Sequence, residues 1–116
     1  MIRRSRECVK ELREHMRDGE GTVEILNLAT PEELNDKGRL FAKITLHPGC
    51  SIGYHVHEKD SEIFYIIKGD ASYSDNGETK IISAGDVTVL LQAESQPGKA
   101  LFKINGITLV FSRFYQ

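Results

Sequence analysis

Two patterns of hydrophobic and polar positions divide the chain. From Met1 to Arg17 acidic and basic residues alternate, and Val9, Leu12 and Met16 recur at helical spacing, which gives one narrow apolar stripe. A short helix or a docking arm fits this stretch. After Asp18-Gly19-Glu20-Gly21 the pattern changes to runs of roughly four to eight residues rich in Val, Ile, Thr, Tyr and Phe, bounded by turn signals. They are TVEILNLA from Thr22, RLFAKITL from Arg39, SIGYHVH from Ser51, EIFYIIK from Glu62 and ASYS from Ala71. KIIS from Lys80, VTVLL from Val87, ALFKI from Ala100 and ITLVFSRF from Ile107 complete the series. Short strands at this spacing predict an all-β sandwich or barrel over residues 22–116, preceded by an N-terminal arm over residues 1–21.

The turns carry their own geometry. Asn76-Gly77 and Asn105-Gly106 supply the positive φ angles of tight hairpins, so each predicts an antiparallel pair. His47-Pro48-Gly49, Lys68-Gly69-Asp70 and Ala84-Gly85-Asp86 mark further bends, and Pro31-Glu32-Glu33-Leu34 suits one helical turn between the first two long strands.

Composition narrows the function classes. A chain of 116 residues, 40% hydrophobic and 28% charged, is sized for one hydrophobic core, with no run long and apolar enough for a bilayer span. The amino terminus lacks a signal peptide's apolar stretch, so the expected address is the cytoplasm. A net charge of −2 gives no field that would draw nucleic acid or an anionic membrane, which leaves a small-molecule ligand as the expected partner. Cys8 and Cys50 are far apart in sequence and read as reduced thiols.

The candidate chemistry lies in SIGYHVHEKDSE. His55 and His57 are two apart on a predicted strand, where the side-chain period puts both imidazoles on one face. Glu62 follows a short turn, and an antiparallel hairpin would return its carboxylate to that face. Two imidazoles and a carboxylate with open positions suit non-haem iron, manganese, nickel or zinc. Strand alternation from Glu62 places Phe64 and Ile66 on the same face, and the even-numbered set that includes Ala42 and Ile44 is a candidate pocket lining beside its ordinary role as core. His15, in the charged segment, and His47, before a Pro-Gly turn, read as solvated.

The spacing Gly49-x5-His55-x-His57-x4-Glu62-x6-Gly69 resembles the first motif of the cupins. The resemblance runs from about Thr22 to the last strand and is nearest to the small bacterial single-domain members. It implies a double-stranded β-helix, or jelly-roll, barrel with one divalent metal ion inside, held by His55, His57 and Glu62, and a homodimer. The second motif departs from the family's Gly-x5-Pro-x-Gly-x2-His-x3-Asn, because the aligned residues are Gly85, Leu91, Ala93, Gln96 and Ala100. Gln96 therefore stands where the family's fourth ligand would be. Its amide oxygen is a neutral donor that favours iron(II) or manganese(II), and the same side chain could hydrogen-bond a ligand or be a polar loop residue.

Three functions follow from this resemblance. One is a metalloenzyme of the oxygenase, decarboxylase or sugar-isomerase kind. Another is a small-ligand or metal-binding sensor module with a weakened metal site and no turnover. The last is a barrel that has lost its metal, against which the intact first motif argues. No residue is singled out as catalytic, and the substrate is not legible.

Overall fold

The computed structural model describes residues 1–15, 20–56, 60–75, 78–90 and 99–115, with 52–56, 60, 75, 90 and 99–115 described by backbone alone. Alternating sequence becomes strand almost everywhere. A 3-10 turn at Ser5–Glu7 leads into β1 (Val9–Glu14), β2 (Thr22–Ala29), β3 (Gly38–Leu46) and β4 (Ser51–Val56). The chain continues through β5 (Asp60–Asp75), β6 (Glu78–Ser83), β7 (Val87–Leu90) and β8 (Lys99–Tyr115). The strand order is β1-β2-β3-β8-β5-β6, with β4 also paired to β8 and β7 to β5.

Two long strands close the barrel. The first half of β5 pairs with β7 and with the end of β8, whereas its second half pairs with β6 and with the beginning of β8. The end of β8 in turn pairs with β3, and its beginning with β4. Both strands thus have different partners along their two halves within one eight-stranded sheet, and in β5 the change comes at register shifts around Ile66/Lys68 and Gly69/Ala71. Such bulges increase local twist and turn a sheet over on itself. Gly69 sits at the bend with φ +89°, a conformation that costs a residue with a Cβ. The result is an all-β jelly-roll barrel.

Side chains of one parity fill its interior. Val23 and Ile25 of β2, Ala42, Ile44 and Leu46 of β3, Phe64, Ile66, Ala71 and Tyr73 of β5, and Ile82 of β6 form the buried core. The register aligns Ile25, Ile44, Leu109 and Ile66 on one rung across four successive strands. Each large apolar residue fully buried this way contributes roughly 1.5–3 kcal/mol.

Three sequence expectations are corrected here. The helical spacing around Val9 and Leu12 does not produce an α-helix, because this segment adds to β2 as the edge strand β1, with Val9 opposite Asn27 and Leu12 opposite Glu24. Backbone pairing to an open sheet edge outweighs a stripe of so few apolar residues. Asn105-Gly106 is no hairpin but lies inside β8. There Gly69 pairs with Ile107 and Ala71 with Ile104, so the Asn-Gly pair supplies the two residues of a bulge that face Asp70 alone. Lastly, among the described residues β4 and β5 do not pair with each other. Each pairs with β8, on different stretches of it.

Other turns form where expected. Asp75 pairs with Glu78 across the two-residue Asn76-Gly77 link, which itself lies outside the described residues. The Pro31–Leu34 stretch makes a helical turn in which Leu34 N–H donates to Thr30 O at 3.1 Å. A reciprocal cap closes it, with Thr30 N–H donating to Glu33 Oε1 at 2.9 Å and Glu33 N–H to Thr30 Oγ1 at 3.1 Å.

Candidate functional site

Among the described residues, Glu62 is a carboxylate that the fold takes inside. It sits near the start of β5, flanked on one side by β7, where it faces Leu90, and on the other by β8, where it faces Arg113. The residues of its own parity, Phe64 and Ile66, are buried at 2% and 0% exposure, and Glu62 itself is 1% exposed. Tyr65 and Ile67, of opposite parity, are half-exposed. The carboxylate therefore shares the inner face with the core. Burying a carboxylate is costly unless a charge or a set of donors meets it there, and a divalent ion is one group that does so.

β4 carries His55, the first residue of the histidine pair. Its entry is fixed by a turn in which Cys50 N–H donates to His47 O at 3.0 Å, and Ser51 N–H donates to Glu20 O at 2.8 Å. The Ser51 hydroxyl accepts from Glu20 N–H at 2.8 Å. His55 then occupies the register position opposite Ala100 of β8. His57 and Gln96 lie outside the described residues. Of the expected lining residues, Ala42 and Ile44 lie on the inner face of β3, fully buried, and Phe64 and Ile66 on that of β5.

Among the described residues no three acidic, imidazole or thiol groups come together as a metal-binding cluster. The Glu62 carboxylate is the kind of donor that suits a hard divalent ion. The register places His55 opposite Ala100 and Glu62 opposite Arg113, on different stretches of β8, so strand pairing by itself does not bring the two donors together.

His47 is outside the barrel, with its Nε2 3.0 Å from Glu24 Oε2. Glu24 is held below its ordinary carboxylate range mainly by a hydrogen bond from Lys10 and then by the one from His47. This group is part of a solvated outer wall. Cys8 and Cys50 are free thiols.

Two positions escaped the sequence reading. Arg113 shares a rung with Glu62, which hydropathy alone could not reveal because it depends on which strands become neighbours. Thr88 pairs with Phe64 and is buried at 7% exposure, while its neighbours Val87 and Val89 are 54% and 52% exposed. The run VTVLL invites the opposite assignment, with valines inside. Its second-motif neighbour Gly85 shapes the turn that sets this parity. Gly85 has φ +93°, its N–H donates to Ile66 O at 2.9 Å, and Ile66 N–H donates to Asp86 O at 3.0 Å.

Comparison with known proteins adds the following. Residues 42–90 match the family model described as Cupin domain. The chain is similar to an oxalate-binding protein of Thermotoga maritima, 43% identical over 95 residues that cover 82% of this chain and 78% of that protein. Its fold is similar to the crystal structure of a predicted oxalate decarboxylase from the same organism, with a TM-score of 0.89, 34% identity and full coverage of both chains. A cupin-like protein of Thermotoga maritima shares the fold at a TM-score of 0.66 and 18% identity, covering 84% of this chain and 71% of that one.

Proposed function

Given that the chain belongs to the cupin superfamily, we propose that it holds one divalent metal ion inside the barrel and binds there a small dicarboxylate of the oxalate class. The observation that carries this reading is the Glu62 carboxylate, 1% exposed and on the same inner face of β5 as the buried Phe64 and Ile66. His55, His57 and Glu62 hold the ion, and Gln96 contributes the fourth donor. When bound, the ion supplies positive charge that fixes the oxygens of an anionic ligand.

Binding without turnover is favoured over catalysis by the relative of 43% identity, which is an oxalate-binding protein.

The protein works in the cytoplasm as a homodimer. Tyr65, Ile67, Val87 and Val89 form an exposed apolar face on the outside of β5 and β7, with Tyr65 paired to Val87. A second copy is the occupant we assign to this face.

Elemental analysis of protein purified without chelator or metal-affinity tag, followed by calorimetric titration with oxalate, tests the reading. Stoichiometric metal and saturable oxalate binding are expected, with no carbon dioxide released. A protein that takes up neither iron, manganese, nickel nor zinc and does not bind oxalate overturns it. Carbon dioxide release would make it an enzyme instead.

A further inference from the structure

The wall formed by β5 and β7 contains a buried hydroxyl that the fold does not use. Thr88 Oγ1 is fully enclosed and has no hydrogen-bond partner among the described residues. Leaving a buried hydroxyl unpaired costs roughly 1–3 kcal/mol, and valine, nearly the same shape and present on both sides of it, would avoid that cost. Thr88 lies on the inner face, since it pairs with Phe64 and alternates with the exposed Val87 and Val89. Because Glu62 faces Leu90 two residues further along β7, Thr88 and Glu62 are diagonal neighbours. Diagonal positions on adjacent strands are about 7–8 Å apart, close enough for groups at both to contact one small molecule.

The geometry points to Thr88 as a ligand-binding residue, whose hydroxyl donates a hydrogen bond to a carboxylate oxygen of an anionic ligand bound beside Glu62. This assignment rests on the function proposed above and adds a contact that selects for it. An oxygen at the ligand's far end satisfies the hydroxyl, whereas an apolar group there leaves it unpaired, so dicarboxylates are preferred over monocarboxylates of similar size.

The test uses full-length protein loaded with the metal it retains on purification, or with manganese(II) if it retains none, and oxalate as the probe. Thr88→Val should keep the wild-type metal content and, without oxalate, melt no lower than wild type, because a methyl group replaces an unpaired hydroxyl. Its oxalate affinity should fall by about tenfold or more, as for loss of a hydrogen bond to a charged group. Thr88→Ser against Thr88→Ala isolates the hydroxyl with the methyl removed from both, and Ser should bind oxalate about tenfold more tightly than Ala. If wild type binds oxalate and the valine variant, or the alanine variant relative to serine, binds it equally well, Thr88 is not a ligand residue while the proposed function stands. A clear drop in the melting temperature of Thr88→Val without oxalate also overturns the inference, since the hydroxyl would then have a partner in the fold. If wild type itself binds neither metal nor oxalate, both readings fall together.

Discussion

The walls built by β2–β3 and by β5–β7 use the same strand alternation to opposite ends. On β2 and β3 the inner residues Val23, Ile25, Ala42, Ile44 and Leu46 are all apolar and at most 1% exposed. Outside, Lys10 pairs with Glu24 at 2.9 Å and His47 with the same carboxylate at 3.0 Å, while Asn27 Nδ2 donates to Glu11 Oε1 at 2.8 Å. On β5 and β7 the inner face takes in Glu62 and Thr88, and the outer face shows Tyr65, Ile67, Val87 and Val89 to solvent. The first wall has an ordinary division of labour, since burial of hydrocarbon stabilises it and exposed charges keep it soluble. The second places polar groups where water is absent and apolar groups where it is present. The unpaired hydroxyl of Thr88 and the outer apolar face are the features on which the proposed ligand contact and the proposed dimer rest.

If the contrast holds, substitutions in the two walls should affect different properties. The largest effect on stability is expected from Ile44→Ala, which should cost about 2–5 kcal/mol because the side chain is wholly buried on a four-residue apolar rung. Denaturant titration measures it, and metal content of the folded fraction should remain at the wild-type value. A stable Ile44→Ala protein with impaired binding would break the division between the walls.

Glu62→Gln belongs to the opposite case. It should weaken metal binding by more than the roughly 100-fold that loss of a supporting partner of a metal ligand can cost, because the anionic donor itself is lost. Metal content by elemental analysis after dialysis checks it, and retained stoichiometric metal would remove Glu62 from the site.

Val89→Glu addresses the outer face. Placing a charge on a half-exposed apolar strand residue should shift the protein from dimer to monomer at micromolar concentration while leaving the circular dichroism of the strands unchanged. Light scattering reads the mass, and an unaltered dimer would mean that the copies meet elsewhere.

The smallest effect is expected at the clamp on the conventional side. Arg3 Nη2 donates to Glu33 Oε2 at 2.8 Å and Arg3 Nη1 to Leu28 O at 2.9 Å. The Arg3 hydrogen bond, followed by that from the Thr30 backbone, holds the Glu33 carboxyl down from 4.5 to about 2. A carboxyl whose pKa is lower folded than unfolded stabilises the fold above the unfolded value, and that contribution disappears as pH falls from 4.5 through about 2. Glu33→Gln should therefore melt slightly below wild type at neutral pH, with the gap closing on acidification across that window. The effect is small because the pair is partly exposed and screened. A gap that stays constant with pH would mean that the glutamate acts through its shape alone.

Much of this was legible in the order of residues. Period-two alternation from Thr22 onward marks strands, and the face shared by Glu62, Phe64 and Ile66 follows from their spacing, as does that of Ala42 and Ile44. Such patterns are readable because each strand's two faces are fixed locally by the backbone. The spacing of Gly49, His55, His57, Glu62 and Gly69 also identified the family, since five defined positions seldom agree by chance.

What alternation cannot supply is which face turns inward when both faces carry apolar residues. VTVLL has valines on one face and a threonine on the other. The Gly85-Asp86 turn and the pairing of Thr88 with Phe64 send the threonine inside. Nor could the sequence tell that Asn105-Gly106 bulges within β8 instead of ending a strand, because that depends on β5 continuing alongside it. The sequence by itself thus determined the strands, their faces and a candidate set of donors. Only the tertiary structure decided strand partners, the continuity of β5 and β8, and the inside-out wall, because all three depend on contacts between residues far apart in the chain.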